Sequence, residues 1–202
     1  MRRKLLIITI MFFLFFLLLS GCKNNEDKSE KIIGNFKNLD SYSCDVDMKI
    51  QNDKQTVSYK GKQFYDKRYG YRFELENNRV MVYKDNNIFV KDLKSGFKYS
   101  TDKNFDSVFK LSFIGEYVGL VYTNEKIKVS SKTIDNKKYE VISLDIPGNN
   151  KNINKANLYI DADNEKPEYL SIYDWRDTEK IKVQYSKFDF NKELNKNLFV
   201  IE

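Results

Sequence analysis

Three groupings of residues in this sequence have types and spacings that could do chemistry. The first is Leu19-Ser20-Gly21-Cys22, small residues leading into a thiol directly behind a long apolar stretch. The second is Asp45 and Asp47, which alternate with Cys44, Val46 and Met48. Along an extended chain they would stand about 6–7 Å apart on one side, and paired carboxylates can divide general acid and base roles. That side is the polar one of an alternating strand, so a solvated face is the default. The third is Asp161-Ala162-Asp163-Asn164-Glu165, which opens like a calcium loop. Lys166 stands where the loop needs Gly, Pro167 follows, and Ile172 occupies the position of the bidentate Glu. A hairpin turn accounts for it instead.

The composition excludes much else. The chain has 202 residues and no His, which removes Ser-His and Cys-His pairs, His general bases and His-containing metal sites. Two Cys cannot build a four-cysteine metal centre or a disulfide framework. No Walker loop, G-x-S-x-G or G-x-G-x-x-G is present. An enzyme on this chain would have to run on carboxylates, Lys or Tyr. The reading is of no catalytic residue, no cofactor and no metal. With 41% hydrophobic and 15% aromatic residues the chain is nevertheless that of a folded protein.

Arg2, Arg3 and Lys4 precede a run from Leu5 to Leu19 that is apolar except at Thr9. At about 15 residues it falls short of the roughly 20 that span a bilayer as a helix, and its layout is that of a secretory signal peptide. Its ending resembles the lipobox of bacterial lipoproteins. That resemblance implies cleavage between Gly21 and Cys22 and transfer of diacylglyceryl to the Cys22 sulfur, with palmitate-type acyl chains holding the protein to a membrane. Each buried methylene contributes ~0.8 kcal/mol. An uncleaved anchor or an ordinary signal peptide is the other reading, and in each case the remainder faces outward. Loss of residues 1–21 lowers the net charge from +6 to +3, too little to argue for nucleic acid.

Residues 22–30 are polar and read as a tether reaching roughly 25–30 Å, and residues 31–202 as one domain. Ile32, Ile33, Phe36 and Leu39 mark one face of a short helix. From Tyr42 the period changes to 2, predicting strands at about 42–50, 57–65, 69–75, 79–84, 88–92 and 97–100. Apolar residues at helical spacing predict a second helix from about Asn104 to Tyr122, with Gly115 and Gly119 letting it approach the sheet. Strands follow at 127–133, 139–146, 156–161, 168–175, 179–190 and 198–201. The fold class is therefore mainly β (α+β): one curved sheet of ten or eleven antiparallel strands around one or two helices. Cys44, on the apolar side of its strand, reads as a small buried hydrophobe. Arg68-Tyr69-Gly70-Tyr71-Arg72-Phe73 interleaves cations and aromatics. Tyr69, Tyr71 and Phe73 admit two readings: core, or the lining of a groove for a lipid or a partner.

Leu158-Tyr159-Ile160-Asp161, then Pro167, Tyr169-Leu170-Ser171-Ile172-Tyr173-Asp174, Ile181-Lys182-Val183-Gln184-Tyr185-Ser186-Lys187-Phe188 and Leu198-Phe199 resemble the closing strands of the LolA-like superfamily. The helix leading into Ser41–Gln51 resembles that superfamily's opening. The resemblance implies a half-barrel with helices covering an apolar cavity. Within the superfamily, the lipobox and the Lys- and Asn-rich composition resemble the GerS-type germination lipoproteins of spore-forming clostridia. That implies a non-enzymatic role assisting a cortex peptidoglycan amidase.

The leading expectation is a membrane-anchored binding module whose protein partner is a cell-wall amidase, working by surface complementarity or by adding a strand at an open sheet edge. Homodimerisation through the same edge is a further expectation. The alternative keeps the fold and assigns it a lipid or a lipoprotein acyl chain. A carboxylate-based wall hydrolase is the third reading.

Overall fold

The computed structural model describes residues 31–36, 38–106, 108–123 and 126–201. The Gly21-Cys22 cleavage site, the lipidation expected at Cys22 and the tether of residues 22–30 lie outside the described residues. The chain divides into two compact units, residues 1–37 and 38–202. In the first, residues 31–36 are helical (α1), with Ile32 and Phe36 buried. Leu39, expected on the same helix, lies beyond its end.

The second unit is built on eleven strands: β1 (Ser41–Gln51), β2 (Thr56–Asp66), β3 (Gly70–Leu75), β4 (Arg79–Lys84), β5 (Asn87–Asp92), β6 (Lys98–Asp102), β7 (Lys128–Ile134), β8 (Lys137–Asp145), β9 (Lys155–Asp161), β10 (Pro167–Tyr173) and β11 (Glu179–Phe190). They form one antiparallel sheet in the order β6-β5-β4-β3-β2-β1-β11-β10-β9-β8-β7, the single large sheet of ten or eleven strands that the sequence reading expects. Neighbours in sequence pair through short turns. Between β7 and β8, for example, Asp135 and Asn136 both take positive φ (49° and 63°), the two-residue hairpin that suits strand twist. The β1–β11 pairing joins the two meanders, with Val46 opposite Tyr185 and Met48 opposite Val183.

Register divides the sheet into two faces, because paired residues share a side. One row runs Cys44, Gln63, Phe73, Met81, Val90. A second runs Met48, Val183, Leu170, Leu158, Ile142. All ten are buried, and they define the inner face.

Two segments depart from the sequence reading. The expected helix from Asn104 to Tyr122 is broken into 3-10 turns at Lys103–Phe105 and Lys110–Ser112 and a ten-residue helix, α2 (Ile114–Thr123). The Asp106 carboxylate accepts the N–H groups of Val108, Phe109 and Lys110, and Phe113 is extended (ψ 127°). Side-chain capture of backbone donors restarts the turn, a competition that apolar spacing does not reveal. The expected last strand at 198–201 is instead a 3-10 turn, Lys196–Phe199, opened by the Asn195 side chain accepting from Asn197 N–H. Its Phe199 packs with Leu194 and Val82 on the outer face, joined by Phe64, Tyr69 and Leu198.

Candidate functional site

The inner face, where the resemblance implied an apolar cavity, is occupied by the chain's own residues. Phe113 is fully buried and its ring meets Tyr71 at 4.8 Å, Tyr83 at 5.2 Å and Phe73 at 6.0 Å between centroids. Phe109, one turn earlier, meets Phe73 edge-on at 5.6 Å and Tyr59 at 5.2 Å. These separations are within the range of favourable aromatic pairs. Polar ties hold the same segment. Tyr185 donates to Ser112 O at 2.7 Å, Gln63 Nε2 to Ser112 Oγ at 2.6 Å, and Tyr117 to Ile142 O at 2.7 Å. Ile114 N–H donates to Tyr42 Oη at 3.1 Å. Burial pushes the phenols of Tyr42, Tyr117 and Tyr185 well above their ordinary range, so they remain protonated. The arrangement is a plug, hydrogen-bonded to both meanders and packed by aromatic rings.

Of the two glycines expected to bring the helix close, only Gly115 does. A Cβ there would lie 2.9 Å from the Tyr71 ring, whereas nothing stands within 4 Å of Gly119. A recess of about 270 Å³ remains beside the plug, lined by apolar residues such as Leu111, Leu120, Ile146 and Ile153 together with charged ones of both signs, Lys103, Lys110, Asp106 and Glu116. That is smaller than ordinary small-molecule pockets of roughly 300–1,000 Å³.

The outer face carries a groove of about 670 Å³ across β11, β1, β2 and β3 that includes Asp45 and Asp47. Each carboxylate has its own cation, Lys187 Nζ at 2.7 Å from Asp45 and Lys60 Nζ at 3.6 Å from Asp47. They are therefore separate ion pairs and not a shared acid–base couple. Asp161 accepts from Asp163 N–H, Asn164 N–H and Asn164 Nδ2, and pairs with Lys137 at 2.8 Å. It organises the β9–β10 turn. Among the described residues no three His, Cys, Asp or Glu cluster as a metal site.

Tyr69, Tyr71 and Phe73 do not form one set. Phe73 is fully buried and Tyr71 half-buried against Phe113 on the inner face. Tyr69 is in the turn before β3 and packs 5.8 Å from Phe199 with the outer-face cluster. The cations between them are engaged as well. Arg68 donates from Nε and Nη2 to the Asp66 carboxylate, and Arg72 donates to Glu74 and to Leu198 O. Cys44 is buried on the inner face, and desolvation raises its thiol well above the usual range, leaving it inert.

The sequence reading missed the aromatic edge at β6. Phe97 is 65% exposed, Tyr99 42% and Phe105 84%, and the first two rings stack at 6.0 Å. Asp92 N–H donates to Phe97 O and Lys103 N–H to Asn86 O. With Val90 opposite Tyr99 and Ile88 opposite Thr101, antiparallel alternation turns the N–H and C=O groups of Lys98, Ser100 and Asp102 outward. No strand among the described residues covers this edge. Its signal was Phe97-Lys98-Tyr99 beside a Gly turn, which reads equally as a core strand.

Comparison with known proteins adds to this geometry. The family model described as "Sporulation protein YdcC-like" matches residues 2–199. Sporulation protein YdcC of Bacillus subtilis (strain 168) is 24% identical over 206 residues, covering 98% of this chain and 60% of its own length. The chain thus spans less than two thirds of that relative. Among solved structures, the GerS lipoprotein of Clostridioides difficile, in complex with the CwlD amidase, aligns with a TM-score of 0.50 over 85% of this chain and 99% of its own, at 23% identity. Mycobacterium tuberculosis lipoprotein LppX aligns with a TM-score of 0.50 over 84% of this chain and 96% of its own, at 16% identity. At such identities the likeness to both is one of fold.

Proposed function

The chain belongs to the YdcC-like sporulation family, and on that premise we propose that it is a lipid-anchored extracytoplasmic binding module, without catalysis of its own, that receives a cell-wall amidase during spore formation. The observation that carries this reading is the contrast between the two places a ligand could go. The inner face is filled by Phe109, Phe113 and α2, while Phe97, Tyr99 and Phe105 stand exposed beside outward-facing backbone groups at β6. An open, apolar strand edge is a hazard unless something pairs with it, and strand addition is an established mode of protein recognition. The GerS likeness, from a complex with an amidase, supports an amidase as the partner. The lipobox ending in Gly21-Cys22 and the lipoprotein neighbours support the membrane anchor.

The test uses Ser100→Pro. Its N–H points away from β5, so proline removes an outward donor and no bond within the sheet. Affinity capture from sporulating cells with the unaltered chain should recover a cell-wall amidase, and capture with S100P or Phe97→Glu should recover at least tenfold less. Capture without any wall hydrolase, or equal recovery by all three, would sink the proposal. Self-association of the unaltered chain through β6, read by light scattering, would assign the edge to a homodimer instead.

The acyl-cargo alternative has a foothold in the recess beside α2, with Leu111, Leu120, Ile146, Pro147 and Ile153 in its lining. Native mass spectrometry showing co-purified lipid would favour it.

A further inference from the structure

The β10–β11 turn presents Trp175, the chain's single tryptophan, with 56% of its surface exposed. The turn that holds it is tightly built. Asp174 Oδ1 accepts from Arg176 N–H at 2.8 Å and Thr178 N–H at 2.9 Å, and Asp174 N–H donates to Thr178 O. Trp175 N–H donates to Lys151 O at 2.9 Å, fastening this turn to the loop between β8 and β9. The main chain that carries the exposed indole is thus fixed by hydrogen bonds on both sides of Trp175.

Two cations flank the ring, the Arg176 guanidinium at 4.8 Å and the Lys151 ammonium at 5.8 Å from its centroid. The acidic groups around them are committed elsewhere. Asp174 and Asp53 face Lys180 at 3.6 and 3.2 Å, and Asp177 pairs with Lys155. Lys151 and Arg176 make no ion pair among the described residues. The turn tip is therefore an indole beside these two cations, in a cluster of four cations and three carboxylates with a net charge of +1.

We propose that this tip is a membrane contact, seating Trp175 among the headgroups of an anionic bilayer. Indole rings favour the polar–apolar interface of a bilayer, and each Lys or Arg at an anionic surface strengthens attachment about fivefold. Patch size selects a membrane over a protein. One ring and two cations cannot supply the roughly 800 Å² per partner of a stable protein interface. A weak contact suffices here, since the two acyl chains expected on Cys22 already supply stable attachment and the turn need only orient the domain. The inference rests on the anchored reading of Cys22.

The lipidated mature chain, reconstituted into vesicles, provides the test, because all indole fluorescence comes from Trp175. In vesicles with about one-third phosphatidylglycerol, emission should shift to the blue and be quenched by bromine- or nitroxide-labelled lipid. In pure phosphatidylcholine both effects should be largely lost, as they should for K151E/R176E in the anionic vesicles. A chain that sediments with vesicles yet shows equal quenching in both, or none, refutes the contact and leaves the anchor intact. A chain that does not sediment refutes both. Emission that responds to a purified cell-wall amidase and not to anionic lipid assigns the turn to a protein and overturns the inference.

Discussion

Replacing Phe113 with Ala tests whether the inner face is a packed core or a lid over a binding cavity. The ring is fully buried and lies against Tyr71, Tyr83 and Phe73. Truncation of a buried Phe to Ala costs about 3–5 kcal/mol in lost transfer energy and residual cavity, which already contains most of the three ring contacts at about 0.5–1.5 kcal/mol each. For a unit of this size each kcal/mol moves the melting temperature by about 2–4 °C, so a drop of about 6–20 °C is expected. Urea unfolding should show a lower midpoint with an unchanged slope, the sign of a stability change without a change in exposed surface. The vacated space is lined by aromatic and aliphatic side chains and should take up a small apolar ligand, as dry engineered cavities do. Native mass spectrometry with such a ligand should show binding to F113A and not to the unaltered chain. A loss of no more than about 0.5 kcal/mol, the size of an ordinary surface change, would mean that Phe113 swings freely. The inner face would then be a covered cargo site and the plug argument would fail.

Cys22→Ser should move the protein from the membrane to the soluble fraction, read by fractionation and blotting; unchanged membrane association would refute lipidation at this residue. Stability should fall in acid. Charge-assisted hydrogen bonds from Arg68 hold the Asp66 carboxyl below its ordinary value, and the N–H groups of Thr178 and Arg176 do the same for Asp174. The unfolded chain therefore binds more protons than the folded one between the two values. This contribution is present in full above about pH 4 and is lost as the pH falls through the folded-state value. Urea midpoints measured from about pH 6 down to pH 2 should decline below pH 4, and Asp66→Asn should flatten the decline. Arg72→Ala removes donors to Leu198 O and Glu74, leaving partly buried acceptors unpaired at about 1–3 kcal/mol. Amide exchange in residues 194–201 should quicken more than in β1.

Much of the sheet was legible because its signal is local. In β1, Tyr42, Cys44, Val46 and Met48 alternate with polar residues, and period 2 identifies both the strand and its buried side. Turn residues such as Asp135-Asn136 marked the hairpins for an equally local reason, their tolerance of positive φ. Legibility ended where a residue's neighbours are distant in sequence. Tyr69 continues the alternation of Tyr71 and Phe73, yet the turn rotates it onto the outer face, where Phe199 awaits it. Leu198-Phe199-Val200-Ile201 has the composition of a strand, but Asn195 captures Asn197 N–H and the tail closes over Val82 instead.

The sequence by itself determined the strand rhythm, the absence of His chemistry and the apolar run ending in Leu19-Ser20-Gly21-Cys22, since each depends only on residue type and spacing along the chain. Tertiary structure alone decided that β1 pairs with β11, that Asp45 and Asp47 are separated by Lys187 and Lys60, and that Phe109 and Phe113 fill the face a ligand would need. The physical reason is common to all three. Alternation states which side of a strand is apolar but not what will cover it, and that choice is made by packing and ion pairing between residues on different strands and turns, from Asp47 and Lys60 on neighbouring strands to Asp45 and Lys187 at opposite ends of the sequence.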